Sequence, residues 1–158
     1  MFGAIAALAL DQLSKAVLLY GFGFAQMAPG DRIIALPFLD LVMAWNRGIS
    51  FSLFWAREWF SVLLLIAFSA AVVIVLAIWL WNATRRVLAL GLGLIIGGAL
   101  GNLVDRVIYG RVADFFDLHL GERHFFACNV ADVAITCGVV LLLCDILFAR
   151  EPAGAAAS

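Results

Sequence analysis

Apolar residues fall into four long runs along the chain, separated by stretches where polar and turn residues return. The run over residues 59–81 has no charged residue and is bracketed by Trp59 and Trp81, which suit the two faces of a bilayer. The runs over 2–22, 87–106 and 125–148 carry a few polar positions each. One crossing of the hydrocarbon core needs about 20 apolar residues, so the pattern predicts four spanning helices. Residues 23–58 read differently. Pro29-Gly30-Asp31 and Pro37 punctuate alternating stretches such as Arg32-Ile33-Ile34-Ala35-Leu36 and Asp40-Leu41-Val42-Met43-Ala44-Trp45-Asn46. That segment predicts a few short strands lying as a cover at the membrane surface. A polar connection over 109–124 joins the third and fourth runs.

Composition strengthens the membrane reading. The chain has 158 residues, 66% hydrophobic and 13% charged, against about 45–50% and about 25% in ordinary soluble domains. It is expected to be an all-α membrane protein forming a single membrane domain over 1–158. Ten Lys+Arg oppose eleven Asp+Glu, for a formal charge of −1. With no basic excess, nucleic acid is not expected as a partner. The first run has Asp11 and Lys15 in its middle and no small-residue exit, so it is expected to be retained as a helix rather than cleaved as a leader. Cys128, Cys137 and Cys144 all fall in the last apolar run. Seven helical residues rise about 10 Å, too far for a disulfide, so they are expected to be small buried hydrophobes.

The scarce charges are the informative positions, because an ionisable residue at the centre of a membrane helix costs about 2.5–3.5 kcal/mol on insertion scales. Asp11 and Lys15 stand four apart on one helix face. They either neutralise each other and fix helix register, or one of them reaches a substrate. Gly93, Gly97 and Gly101 recur every four residues, a small-residue face for close helix approach. Beside it Gly98, Asn102 and Asp105 form a second, polar stripe directed into the bundle or towards its mouth. Asp105 has an interfacial or ion-pair reading as well as a functional one, and Arg106 is expected to snorkel away from it. Asp114 lies among apolar neighbours just beyond the third run, where burial would raise its pKa. Asn129 and Asp132 are placed one to two turns inside the fourth helix, and nothing within that helix is expected to pair with Asp132, whose neighbours three and four residues away are Asn129, Cys128, Ile135 and Thr136. Asp145, near its end, is expected to pair with Arg150.

Two carboxylates, one from a loop and one from a helix, suit general acid–base hydrolysis. If they meet, repulsion leaves one protonated while the other takes a proton from water. Asn102 and Asn129 could orient them or bind the scissile amide. Other chemistries fit less well. His119 and His124, read as interfacial loop residues, lack metal-ligand spacing, and neither a metal nor another cofactor is expected. A serine nucleophile would need a lysine base, and Lys15 lies beside Ser14 on a different face. An ion-conducting bundle using Asp11, Asp105 and Asp132 would need a polar path through the membrane, which the uncharged second run does not continue.

Five motifs now stand in order: Asp11-Gln12-Leu13-Ser14-Lys15, Asn46-Arg47-Gly48-Ile49-Ser50-Phe51, Gly97 through Arg106, Val112-Ala113-Asp114-Phe115 and Asn129-Val130-Ala131-Asp132. In sequence and approximate spacing the chain resembles the bacterial lipoprotein signal peptidases, also called signal peptidase II. The resemblance implies four transmembrane helices with a small periplasmic β-cradle and loop, in the bacterial inner membrane. It implies cytoplasmic termini and an active site facing the periplasm near the membrane surface. It further implies an aspartyl endopeptidase cutting prolipoproteins before a diacylglyceryl-modified cysteine, with membrane lipid as surroundings and inhibition by globomycin-type cyclic peptides. The family's catalytic pair falls on Asp114 and Asp132, with Asp105 the rival for the first. Asn46, Gly48, Asn102, Asp105, Arg106 and Asn129 match positions lining the site, and Asp11 and Lys15 match a support motif. Arg47, Ile49, Ser50 and Cys128 depart from the commoner pattern. A raw count of positive residues runs against the implied sidedness. Cytoplasmic termini would leave Arg85, Arg86 and Arg150 inside and Arg32, Arg47, Arg57, Arg106, Arg111 and Arg123 outside.

Overall fold

The structure, a computed structural model, describes residues 1–28, 30–48 and 58–148. Four helices are long and apolar enough to cross a membrane: α1 (Phe2–Ala16, extended by a π-helical turn Val17–Gly21), α2 (Glu58–Trp81), α3 (Arg86–Tyr109) and α4 (Val130–Phe148). Four strands, β1 (Arg32–Leu36), β2 (Leu39–Asn46), β3 (Val112–Leu120) and β4 (Arg123–Cys128), form one antiparallel sheet in sequence order. The two strands of the 23–58 segment thus form where alternation predicts them. The connection over 109–124 is not a loop but supplies β3 and the start of β4.

α3 is the hub, packed by α1, α2 and α4. Lipid tails are as apolar as leucine, so burial of apolar surface adds little between membrane helices, and close approach for dispersion contacts decides. Glycine permits it. A β-carbon on Gly97 would collide with the Ala4 carbonyl and lie 2.7 Å from the Ala7 side chain, and one on Gly91 would lie 2.9 Å from the Gly138 carbonyl. The first contact fastens α1 and the second α4, so the small residues of α3 serve two faces. Leu92 between them is fully buried. α2 keeps an apolar exterior, with Trp59 and Trp81 exposed at its two ends.

Two local devices deliver the chain from helix to sheet and back. α3 ends at Gly110, whose left-handed backbone (φ 67°) caps the helix and turns the chain into β3. α4 begins at Val130, five residues later than the apolar run predicts. Residues 125–128 belong instead to β4, where Phe126 pairs with Leu118 and Cys128 with Phe116. The apolar run is continuous across a strand and a helix, and hydrophobicity alone cannot mark the change of period. Asn129 marks it by capping the helix: its Oδ1 accepts the Asp132 N–H (3.1 Å) while Asp132 Oδ2 accepts the Asn129 N–H (3.2 Å). This is a reciprocal capping box built from Asn and Asp.

Further sequence expectations need correction. Cys128 is a strand residue, and only it among the cysteines is buried; Cys137 and Cys144 are exposed on α4, and all three thiols are free. His119 and His124 are not loop residues but register partners on β3 and β4. They meet the facing pair Asp40 and Asp117, with His124 Nδ1 2.6 Å from Asp117 and His119 Nε2 3.3 Å from Asp40. Asp145 lies 2.8 Å from Arg85, an ion pair joining the start of α3 to the end of α4, while its expected pairing with Arg150 falls outside the described residues. Arg150, Arg57, Ile49 and Ser50 lie outside the described residues.

Candidate active site

The sheet and the helix bundle meet where β3 leaves α3 and α4 leaves β4, and the polar residues gather there. Asp114 stands opposite Ala44 in the β2–β3 ladder, and Asn46 is the next residue on the same face. That diagonal places Asn46 Nδ2 3.0 Å from Asp114 Oδ2. Between Leu41 and Ala44 the register shifts by one residue, a bulge that re-aims the end of β2 beside the site. Asn46 Oδ1 in turn accepts the Gly48 N–H (2.8 Å), and Gly48 adopts φ 92°, open to glycine at little strain. The chain therefore turns at Asn46–Gly48, next to the side chain that holds Asp114.

Asn129 joins the two halves. Its buried side chain donates through Nδ2 to Asp114 Oδ1 (2.7 Å), to Asn102 Oδ1 (3.1 Å) and to the Ala113 carbonyl (3.2 Å). Its backbone N–H holds Asp132 Oδ2, and Asn102 Nδ2 donates to Asp132 Oδ1 at 2.8 Å. One asparagine thus touches both carboxylates, one from β3 and one from the first turn of α4. Asp132 keeps partial exposure, whereas Asp114 is buried. Burial is the main cause that pushes the Asp114 carboxyl up to about 6, and the neighbouring charge of Asp132 adds to it; Asn46, Asn129 and Lys15 pull the other way.

Behind the carboxylates lies a buried ionic cluster. Lys15 Nζ sits 2.7 Å from Asp11 and 2.8 Å from Asp105, and all three are almost fully buried. The self-neutralising pair predicted within α1 is therefore a three-member bridge from α1 to α3. Asp105 spends its oxygens on Lys15, on the Ala113 N–H (3.1 Å) and on Gln12 (3.2 Å). Arg106 does point away from Asp105, folding back to donate to the Asn102 carbonyl (3.3 Å) and approaching Gly48.

The chain matches the family described as Signal peptidase (SPase) II over residues 3–148. It belongs to the signal peptidase II family. A lipoprotein signal peptidase of Methylocella silvestris is 46% identical over 157 residues, covering 98% of this chain and 90% of that protein. One from Rhodopseudomonas palustris is 44% identical over 159 residues, covering 98% and 95%. Two solved bacterial membrane enzymes share the fold, with TM-scores of 0.76 and 0.77 at 23% and 24% identity, covering 99% and 94% of this chain and 92% of each of theirs. The chain is thus an enzyme of a peptidase family, a multi-pass membrane protein with four apolar helices and a four-stranded sheet.

Of the positions singled out in the signal peptidase II motifs, the structure brings together Asn46, Gly48, Asn102, Asp105, Arg106, Asp114, Asn129, Asp132, Asp11 and Lys15. Sequence reasoning missed Gln12, whose Nε2 lies 3.0 Å from Asp11 Oδ2, 3.2 Å from the Gly101 carbonyl and 3.2 Å from Asp105 Oδ1. A polar residue beside Asp11 in an apolar run was the available signal. It also left Asp132 without a partner in its own helix, whereas the capping box supplies one; an Asn-x-x-Asp spacing announces that arrangement. Cys128, between the acids, is no rival nucleophile, since burial and then the charges of Asp132 and Asp114 push its thiol up to about 11.

Proposed function

We propose that this chain removes signal peptides from prolipoproteins, cleaving before the diacylglyceryl-modified cysteine with water activated between Asp114 and Asp132. The observation that carries the reading is the convergence of these two carboxyls on Asn129. Two acids sharing one polar pocket titrate as a unit, and the buried member holds the proton. Asp114 is that member. Asp132, more open to solvent, takes the proton from water as its oxygen attacks the peptide carbonyl. Asp114 gives its proton to the departing amide nitrogen as the C–N bond breaks, and the proton that Asp132 took from water then passes to Asp114, restoring the starting state. No covalent intermediate forms and no metal takes part. Asp105 does not compete for the role of Asp114, because its oxygens are committed to Lys15, Gln12 and a backbone amide.

Asn46 and Gly48 line the cut site from the sheet, and the half-buried Arg106 offers a cation at its mouth. The lipid of the substrate lies in bilayer against the helices while its peptide passes beneath β1 and β2. The family reading places the protein in the bacterial inner membrane with cytoplasmic termini, the sheet and the acids at the periplasmic surface. Globomycin-type cyclic peptides are expected to inhibit it. The distribution of polar groups supports a peptidase over an ion pathway. The acids cluster at one end of the bundle, the Arg85–Asp145 pair lies at the other, and close apolar contacts around Gly91, Leu92 and Gly138 lie between. Asn substituted separately at Asp114 and Asp132 is expected to abolish cleavage of a lipidated pro-peptide, with chelators having no effect on the parent. Full activity in either variant would refute the dyad.

A further inference from the structure

Each of the two acids assigned to catalysis follows a residue whose backbone amide is tied to a different buried carboxylate. The Ala131 N–H, preceding Asp132, donates to Asp11 Oδ1 at 2.9 Å. The Ala113 N–H, preceding Asp114, donates to Asp105 Oδ2 at 3.1 Å. Asp11 and Asp105 come from different helices, and one ammonium, Lys15 Nζ, lies 2.7 Å from the first and 2.8 Å from the second. Gln12 doubles the link by donating to both. The chain of contacts runs without a gap from Asp132 through Ala131, Asp11, Lys15, Asp105 and Ala113 to Asp114. Its members are close to fully buried: Asp11 is 0%, Lys15 3%, Asp105 1%, Ala113 0% and Ala131 0% exposed. Two like-charged carboxylates would repel without that cation, and the β3 and α4 backbones they grip would separate with them.

We propose that Lys15, assisted by Gln12, is a positioning residue for peptide cleavage, setting the spacing of Asp114 and Asp132 through the two carboxylates that hold the preceding amides. This rests on the reading of Asp114 and Asp132 as the catalytic pair. Lys15 makes no hydrogen bond to either acid's carboxyl: its contacts reach the site through Asp11, Asp105 and the Asn102 side chain, 3.4 Å away, and its charge acts on Asp114 only across space. A charge-compensating role alone would call for a cation anywhere near the two acids. A bridge to both tethered carboxylates also fixes where they stand.

The test measures kcat and KM for cleavage of a synthetic diacylglyceryl lipopeptide by the full-length detergent-purified protein, beside the melting midpoint of each preparation. Misplacing a reacting group by about 1 Å lowers rate by about 10²-fold, so Lys15→Met is expected to reduce kcat roughly 30- to 100-fold with KM within about twofold. That variant leaves two buried acids without their cation and can fail to fold. The deciding variant therefore combines Lys15→Met with Asp11→Asn, which removes one anion with the cation and keeps an oxygen for Ala131. Its melting midpoint is expected to recover while kcat stays low. A kcat within about threefold of the parent in the double variant would overturn the proposal, since this is well short of the loss expected from misplacement. So would a kcat that merely tracks the melting midpoint across a series that includes Arg85→Met, which breaks the ion pair at the opposite end. Should neither Lys15 variant fold, Gln12→Leu decides: it removes donors and no charge, and a kcat equal to the parent's counts against the frame. Activity in Asp114→Asn or Asp132→Asn would instead defeat the underlying dyad, so the two failures are distinguishable.

Discussion

Replacing Asn46 by alanine should move one limb of the pH–rate profile and leave the other. Asn46 Nδ2 is 3.0 Å from Asp114 Oδ2, and it is the largest influence opposing the burial that pushes this carboxyl up to about 6. A hydrogen bond to a charged acceptor contributes about 1.5–3 kcal/mol, and one pKa unit corresponds to about 1.4 kcal/mol. Asn46 is itself exposed, so water regains part of the lost contact and the lower figure applies. The Asp114 pKa should therefore rise further, by an amount on the order of a tenfold change in the proton-binding constant. The other charges around it are unchanged: Asp132 on α4, Lys15 on α1, and Asp105 and Arg106 on α3.

The sign follows from the role. Asp114 must carry a proton to donate it, so the activity of the parent falls as pH rises through about 6. A raised pKa extends the protonated range and carries this alkaline limb upward by roughly one unit, while the acidic limb, which belongs to the partner that must be charged, stays. The assay is kcat/KM for a fluorogenic lipopeptide across the pH range, because that ratio reports the free enzyme, and weaker binding lowers it by a uniform factor without moving either limb. Loss of the Gly48 contact will raise KM without moving the limb. An alkaline limb that stays in place or moves to lower pH would refute the assignment of the proton to Asp114.

Asp114→Asn should also stabilise the folded protein at neutral pH. A carboxyl whose folded pKa is raised favours folding fully below its unfolded value, and that contribution is lost as pH climbs to about 6. The charge then burdens the folded state by at most ~3 kcal/mol, so the melting midpoint of the variant should exceed the parent's at pH near 7 and match it near pH 4. Gly97→Val should prevent assembly of α1 on α3, because the added atoms meet the Ala4 carbonyl and the Ala7 side chain. Loss of a monodisperse peak in detergent checks it, and normal yield with native melting would contradict the close approach.

How much was legible depended on whether a residue's signal was local. α2 was plain from its composition, since an uncharged run between tryptophans has one reading in lipid. β1 and β2 followed from alternation between turn residues. β4 was hidden because Phe125 and Phe126 continue the hydrophobicity of α4, and only the cap at Asn129 divides them. The site shows the same division. Asp114, Asp105 and Asp132 stood out as charges in apolar surroundings, but which acid meets which is set by contacts between distant segments. Asp145 illustrates the limit: the antiparallel pairing of α3 and α4 brings Arg85, 60 residues away in sequence, to 2.8 Å, a partner that no local pattern offers.

The same reasoning explains why Asp105 and Asp114, equivalent by sequence as acids near the end of α3, are suited to opposite tasks. Asp105 lies on the helix before Gly110, and its side chain is held between the Lys15 ammonium and the Ala113 N–H. Asp114 lies four residues beyond Gly110, near the start of the interior strand β3, where the Asn46 and Asn129 amides reach its carboxyl and burial penalises the charge. A proton-transfer group needs the second environment, a structural anion the first. The αL turn at Gly110 separates the two environments by reversing the chain between them. An exchange of tasks would require moving Lys15, which is anchored on α1 by Asp11 and cannot follow.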